Sequence, residues 1–294
     1  MSDFVRQQHT VCAFTTSASW VILSPIEQSI KRKIEAVGTP LKDWDIHIYR
    51  GVLTGYNDAF IISTDKRNEI LANCQSEDER NRTADLIRPI LRGRDIKRYG
   101  YEWDNLWLIN THNGIRGVKE RIHVEDYPAV KAHLDQYWDK ISKRSDKGDT
   151  PYNLRNCAYL DDFNKPKIIY PNMTKYMPFV LDEKMYLTNQ KCFIITGCNT
   201  AFLTAFLNSS LFKFCFRDSF PELQGGTREM SKIFFDKIPI IKVSDNEEKK
   251  FRNIVGDVQK AYSKEKAIHI DNLIFDMYNL TTEERDIVGF IEIQ

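Results

Sequence analysis

Residues 167–170, Lys-Ile-Ile-Tyr, lie between Pro166 and Pro171 and predict a short β-strand. Further β-rich runs, bounded in the same way by Gly, Asn or Pro, predict strands at residues 46–49, 59–62, 106–109, 179–181 and 192–196. A last short strand is predicted over 237–241, where Pro239 favours the edge of a sheet. These runs predict a mixed α/β (α+β) domain, a twisted mixed β-sheet with flanking helices.

Helical patterns lie between and after these runs. Ser24 and Pro25 indicate the start of a helix over 24–36, in which isoleucines recur every four residues. Residues 127–143 and 200–207 carry apolar faces at helical spacing, and Asn208-Ser209 breaks the second. We assign the following large aromatic side chains to the core: Phe60, Trp107, Trp138, Phe202 and Phe206.

Residues 244–294 predict a helical C-terminal segment. Apolar stripes over 251–262 and 270–278 are separated by a hinge near Lys266. Thr281 and Glu284 have the spacing of a capping box, which indicates the start of a last short helix. Such stripes must pack on the body of the protein or on a partner.

Composition excludes several classes of protein. Of the 294 residues, 42% are hydrophobic, which supports a packed core rather than global disorder. No apolar run of about 18 residues is present, and the N-terminal residues lack a signal-peptide pattern, so we expect a cytoplasmic protein with reduced cysteines. We find no Gly-rich phosphate loop, no nucleophile elbow and no closely spaced metal ligands. The sequence thus predicts no catalytic residue and no metal site in this chain.

Charge is unevenly distributed along the chain. The 42 basic and 41 acidic residues give a net charge of +1, but residues 244–294 carry 7 basic against 11 acidic groups. Residues 1–243 therefore carry 35 against 30, a net charge of +5. The excess is concentrated in residues 86–98 and 140–156, which are candidate contacts to a polyanion. A solvated basic surface without a ligand is the other interpretation of each cluster.

An ordered set of segments resembles a known family. In chain order they are residues 48–62, 87–99, 143–148, 151–155, 165–171, 189–195, 203–211 and 238–240. The set resembles the TaqI-like C-terminal specificity (target-recognition) domain of type IIG restriction–modification enzymes and adenine-specific DNA methyltransferases. It is more distantly similar to the target-recognition domains of type I specificity subunits.

The resemblance implies a division of the chain and a function. Residues 1–40 would be a linker and helix from a missing catalytic part, 41–243 the DNA target-recognition domain, and 244–294 the helical segment. The implied function is sequence-specific recognition of double-stranded DNA for an adenine methyltransferase, by an excised or truncated domain that is not an enzyme by itself. S-adenosylmethionine and Mg²⁺ would bind only the missing catalytic parts, in cis or in a separate chain, and no membrane would be involved.

Arginine, lysine and polar residues in the matching segments are the candidate DNA contacts. Arginine and lysine bind phosphates or guanine, and asparagine can read adenine. A structural role in a hairpin or turn is the alternative for each loop. The candidates are Tyr56, Asn57, Arg88, Arg92, Arg94, Lys97, Arg98, Arg144, Lys147, Asn153, Arg155, Thr227 and Arg228. We expect residues 144–155 to form a flexible loop that contacts phosphates.

Two other functions remain open from the sequence. The apolar stripes of the tail are compatible with a specificity subunit that docks on a separate methyltransferase. Residues 182–184 and 247–249 each place carboxylates before a lysine, as nuclease sites do, but such triplets are common by chance.

Overall fold

Residues 23–291 are described by a computed structural model. The expectations for the first 22 residues, including the absence of a signal peptide, lie outside the described residues. The strands are β1 (Gly38–Pro40), β2 (Ile46–Arg50), β3 (Ile61–Ser63), β4 (Ile87–Leu91), β5 (Ile96–Lys97), β6 (Gly100–Tyr101), β7 (Leu106–Ile109), β8 (Lys167–Pro171), β9 (Met173–Thr174), β10 (Val180–Asp182), β11 (Leu187–Thr188), β12 (Cys192–Gly197), β13 (Arg228–Glu229) and β14 (Pro239–Ile241).

Helices flank the strands throughout this range. They are α1 (Pro25–Val37), α2 (Asn57–Phe60), α3 (Thr64–Ala72), α4 (Glu77–Leu86), α5 (Pro128–Asp135), α6 (Trp138–Ile141), α7 (Thr200–Asn208), α8 (Ser210–Phe216), α9 (Lys232–Phe235), α10 (Asp245–Lys260), α11 (Lys264–Met277) and α12 (Thr282–Val288). None of these helices is both long and apolar enough to cross a membrane. The mixed α/β class and the helical C-terminal segment are confirmed.

Two four-stranded sheets organise the protein. The first has the order β10-β8-β12-β2 and is antiparallel throughout. The second has the order β11-β4-β7-β3, in which only the β11–β4 pair is parallel. A bridge between Val52 and Asn189 links the segments that follow β2 and β11. The predicted mixed sheet is therefore divided between two sheets.

The first sheet separates two hydrophobic cores. Successive residues of a strand point to opposite faces. In β8, Ile168 and Tyr170 belong to one core and Ile169 to the other, and in β12 Ile195 and Ile194 divide in the same way. Both faces are covered, which explains why every residue of β8 is buried.

The C-terminal helices pack on the first core. Phe251, Val255 and Val258 of α10 and Ile270 and Ile274 of α11 are buried there, together with the apolar face of α7. The stripes predicted from the sequence are thus covered by the body of the chain. The capping box at Thr281 is confirmed, and so is the helix start at Ser24, where the structure also shows a capping box: the Ser24 hydroxyl accepts a hydrogen bond from the Glu27 backbone N–H.

Several local predictions are wrong. Residues 59–62 form the end of α2 and the start of β3 rather than one strand, and 127–143 is divided into α5 and α6. The tail helices are separated at residues 261–263, and Lys266 lies in the first turn of α11, where its Nζ donates to the Ala261 carbonyl. Trp138 is 44% exposed and not a core residue, because its face of α6 points away from the second core, whereas Phe60, Phe202 and Phe206 are fully buried.

Candidate nucleic-acid interface

The turn over residues 189–191, between β11 and β12, brings two glycine-containing loops together. The Gly51 backbone N–H donates to the Cys192 carbonyl at 2.9 Å, and a Cβ built on Gly51 would lie 2.0 Å from the Asn189 carbonyl oxygen. From the other side, a Cβ on Gly93 would lie 3.0 Å from the Lys191 carbonyl oxygen. The absence of a side chain at both positions lets the loops after β2 and β4 rest on the same turn.

A cleft of about 710 Å³ opens beside this turn, between the loop at residues 92–97 and the segment 171–178. Four basic residues line it: Arg92, which is 17% exposed, Arg94, which is 73% exposed, Lys97, which is 46% exposed, and Lys191. The opposite wall, over 171–178, contributes Met173, Thr174 and Tyr176 to the lining and no basic residue. The cations of the cleft therefore come from the loop at 92–97 and from Lys191.

The basic surface continues on the other side of the turn. Arg50 Nε donates to the Gln190 carbonyl at 3.1 Å, and Arg50 and Arg155 line a shallow depression together with residues 156–157. The loop at 113–121 borders the same two residues. We call the resulting series the basic strip and define it as Arg116, Arg121, Arg155, Arg50, Lys191, Arg94 and Lys97.

Carboxylates lie beside several members of the basic strip. Arg94 is 3.7 Å from Asp104, and Lys97 is 3.4 Å from Glu102. Both carboxylates are more than half exposed, so these pairs contribute little to stability and can exchange for a phosphate. Similar pairs join Arg155 to Asp146 and Arg121 to Asp149.

Of the residues predicted from the sequence, three lie on the basic strip: Arg94, Lys97 and Arg155. Lys147 is exposed, and its Nζ donates to the Ser142 carbonyl at 2.8 Å. Asn57 is exposed at the start of α2 and accepts the Thr54 hydroxyl at 2.5 Å. Tyr56 is half-buried with its ring 6.2 Å from that of Tyr137. Tyr56 and Asn57 directly follow Gly55, which packs closely on Asp146: a Cβ on Gly55 would lie 2.6 Å from the Asp146 carbonyl oxygen. Asp146 in turn pairs with Arg155 of the basic strip.

Arg144 and Asn153 are internal residues. The Arg144 guanidinium donates to the carbonyls of Thr54, Asp146 at 2.9 Å and Pro151 at 3.0 Å, and lies over the Phe60 ring at 4.4 Å. Burial lowers the pKa of Arg144 to about 10. The amide of Asn153, which is 1% exposed, donates to the Ile122 carbonyl at 2.8 Å. The expectation of a flexible loop is corrected here, because these bonds tie 144–155 to the body.

Three further arginines have their donors occupied within the chain. Arg88 donates to Asn164 Oδ1 at 2.7 Å and to the Met185 carbonyl at 2.6 Å. Arg92 makes a bidentate pair with Asp95, with its Nε 3.1 Å from Oδ2 and one terminal nitrogen 2.8 Å from Oδ1. Arg98 is buried and donates to the Asn208 carbonyl at 2.9 Å. Arg92 also pairs with Asp104 at 2.6 Å, so although it lines the cleft its guanidinium is held by two carboxylates. Of the three, only Arg98 is fully internal.

Arg228 is buried beneath the glycine loop rather than projecting from it. Its guanidinium donates to the Phe220 carbonyl at 2.9 Å and to Glu222 at 2.8 Å, and lies 2.9 Å from Asp218. Thr227 is half-buried, and its carbonyl accepts the Leu223 backbone N–H at 2.6 Å. Through β13, Arg228 pairs with Thr174 at the wall of the cleft. The two residues hold that wall in place.

Sequence reasoning missed four members of the basic strip: Arg50, Arg116, Arg121 and Lys191. Each is separated in sequence from the two basic clusters, and only the fold places them beside Arg94 and Arg155. For Lys191, the one available signal was its position directly before β12, within the matching segment 189–195.

The sequence model of the TaqI-like C-terminal specificity domain matches residues 88–240, slightly more than half of the chain. The chain belongs to this family. The TaqI-like domain thus contains the cleft, the turn at 189–191 and the glycine loop at 225–226. No curated protein matches the chain.

Solved structures resemble the TaqI-like domain in fold. The type IIL restriction–modification enzyme MmeI in complex with DNA has a TM-score of 0.58 and 11% identity, over 86% of this chain and 36% of that one. The type IIG restriction endonuclease BpuSI has a TM-score of 0.46 and 14% identity, over 87% of this chain and 34% of that one. The chain thus spans about a third of the length of each enzyme.

Proposed function

We propose that this TaqI-like domain recognises the DNA target of a restriction–modification adenine methyltransferase of the type IIG kind. The family match supports DNA target recognition in a restriction–modification context. The observation that carries the proposal is the basic strip, in which cations from five separate segments of the chain follow one another across the turn at 189–191. A duplex presents phosphates in regular series, and such a series of cations is the complement it requires.

Catalysis would belong to a partner domain. The chain matches a specificity domain and contains no methyl-donor or nuclease motif, so S-adenosylmethionine and Mg²⁺ would bind a methyltransferase or nuclease domain acting in cis. The docking of the helical tail on a separate methyltransferase was motivated by its apolar stripes. The stripes no longer support this alternative, because Phe251, Val255, Ile270 and Ile274 are buried in the first core.

A salt titration of binding to duplex DNA tests the proposal. We expect the logarithm of the binding constant to fall linearly with the logarithm of the salt concentration, with a slope of about −0.9 for each phosphate contact. Arg94→Ala with Lys191→Ala should weaken binding at least tenfold and reduce the slope by about two contacts. Lys249→Ala with Lys250→Ala removes the same charge from exposed sites on α10 and serves as the matched control. Binding that is undetectable in dilute buffer, or equally weakened by both double variants, would refute the proposal.

A further inference from the structure

Two exposed apolar side chains lie inside the basic cleft. Tyr176 is 47% exposed and Met173 is 54% exposed, and both line the cleft together with Arg94, Lys97 and Lys191. Within residues 23–291, neither the Tyr176 ring nor its hydroxyl has a partner. Large apolar groups left in water beside cations mark a surface that is covered when a ligand binds.

The segment that carries Tyr176 is held rigidly. The Thr174 hydroxyl accepts the backbone N–H groups of Tyr176 at 3.0 Å and of Met177 at 3.2 Å. Met177 has a φ of +51° and is 2% exposed, so its buried side chain anchors the turn to the protein interior. An exposed aromatic side chain on a fixed turn loses little conformational entropy when it binds.

The same segment is fixed from the side by the glycine loop. β9 pairs with β13, and the Met230 backbone N–H donates to the Asn172 carbonyl at 2.8 Å. Arg228, with its guanidinium occupied by Glu222 and Asp218, stabilises that pairing. The backbone position of Tyr176 beside the cleft is thus set before any ligand binds.

We propose that Tyr176 and Met173 are the base-contacting residues of this cleft, while the surrounding cations contact phosphates. The proposal rests on the proposed function, and it assigns specificity to side chains that carry no charge. Phosphate contacts position a protein on DNA but carry no sequence information, whereas apolar contact in a groove discriminates base pairs, as with the thymine methyl group. The cations beside Tyr176 would hold the phosphates of the duplex. The uncharged Tyr176 ring would then face the base edges.

Selection from a pool of randomised duplexes, using the full chain, provides the test. The wild-type protein should enrich a preferred site, and its affinity is then compared between that site and a scrambled duplex. Tyr176→Ala should lower this affinity ratio about tenfold and leave the salt slope unchanged. Arg94→Ala should have the opposite signature: weaker binding to both duplexes, an unchanged ratio and a slope reduced by about 0.9.

Two further variants complete the design. Tyr176→Phe keeps the ring and should keep most of the preference, and Met173→Ala should reduce it by a smaller factor than Tyr176→Ala. Tyr262 is 51% exposed and does not line the cleft, so Tyr262→Ala is the matched control and should change nothing. Thermal unfolding of each variant verifies that it is folded.

The outcomes separate the two proposals. A wild-type protein with no salt-dependent binding to DNA would overturn the proposed function. Salt-dependent binding with no enriched sequence would also overturn the proposed function, because no target would be recognised. A preferred site whose affinity ratio Tyr176→Ala leaves unchanged would overturn the assignment of Tyr176 alone. A salt slope reduced in Tyr176→Ala would also overturn it, because the tyrosine would then be a phosphate contact.

Discussion

Lys167 and Asp182 form an ion pair inside the protein, with 2.6 Å between Nζ and Oδ2 and neither side chain more than 1% exposed. They are register partners on β8 and β10, next to the second core. The remaining hydrogen-bonding capacity is used locally, since Lys167 donates to the Phe163 carbonyl and Asp182 accepts the Tyr186 backbone N–H. Burial lowers the pKa of Lys167, and the Asp182 carboxylate opposes that effect.

Removal of one partner of this pair should strongly destabilise the fold. Lys167→Met leaves the carboxylate of Asp182 buried without a counter-charge, and we expect a loss of about 3–5 kcal/mol in the free energy of unfolding. Lys167→Met with Asp182→Asn removes both charges and keeps an acceptor for the Tyr186 N–H, so it should lose less than half as much. Urea unfolding followed by circular dichroism measures both values. Equal losses in the two variants would argue against the ion pair.

Arg144→Ala should reduce stability rather than DNA binding. The substitution removes the donor to the carbonyls of Thr54 and Pro151 and one of two donors to that of Asn153, which keeps the Gly148 N–H, and we expect a loss of about 2–4 kcal/mol. Arg144→Lys should recover little, because one ammonium cannot reach carbonyls on both sides. At a temperature where the variant is folded, the salt slope of DNA binding should equal that of the wild type. A smaller slope would return Arg144 to the DNA contacts.

Two exposed carboxylates should weaken DNA binding. Asp104 pairs with Arg92 at 2.6 Å and lies 3.7 Å from Arg94, and Glu102 lies 3.4 Å from Lys97, so both carboxylates compete with phosphates for the cations of the cleft and repel the duplex. Asp104→Asn with Glu102→Gln should raise the affinity for duplex DNA about three- to tenfold at low salt, with a smaller gain at high salt. Glu77→Gln with Asp78→Asn, in the first turn of α4, makes the same change of charge away from the residues that line the cleft. An equal gain in both variants would indicate an effect of net charge alone.

The two glycines at the turn should differ in their tolerance of a methyl group. Gly51→Ala would place a Cβ 2.0 Å from a backbone oxygen, so the loop must move away from the turn, and we expect a loss of about 2–4 kcal/mol. Gly93→Ala would place its Cβ at 3.0 Å, which a small shift can relieve, and should cost about 1 kcal/mol or less. Thermal and urea unfolding of the two variants measure the difference. The reverse order of stability would contradict the packing of these loops.

Alkaline pH should destabilise the protein in part through Tyr159. Burial raises its pKa from 10.0 to about 12, and its ring stacks on Tyr49 with 4.2 Å between centroids. Because folding raises this pKa, the contribution of Tyr159 to stability is fully present below pH 10. It is lost as pH rises toward 12, since the unfolded chain releases the proton first. In Tyr159→Phe the free energy of unfolding should therefore fall less steeply between pH 10 and 12. Tyr262→Phe, at an exposed site, should follow the wild-type curve.

The sequence predicted much of the fold and less of the site. Runs of β-branched and aromatic residues such as 167–170 and 192–196 marked the strands, and Ser24 and Thr281 marked helix starts, because these signals are local. Arg228 shows the limit: after two glycines it resembles an exposed contact, but carboxylates of Asp218 and Glu222 neutralise it in the fold. Lys191 shows the converse, since one isolated lysine gives no charge cluster until the fold places it beside Arg94.

Glu284 of α12 accepts hydrogen bonds from Ser29 and Lys33 of α1, at 2.7 and 2.6 Å. The first and last helices of the described chain therefore lie side by side. A polypeptide that enters at Pro25 leaves at Val288 close to where it began, so the intervening residues form a unit with a single point of attachment. Such a unit can be exchanged between host proteins through two neighbouring junctions. A short linker that joins the two helices would also allow a circular permutant, with its new termini in another loop.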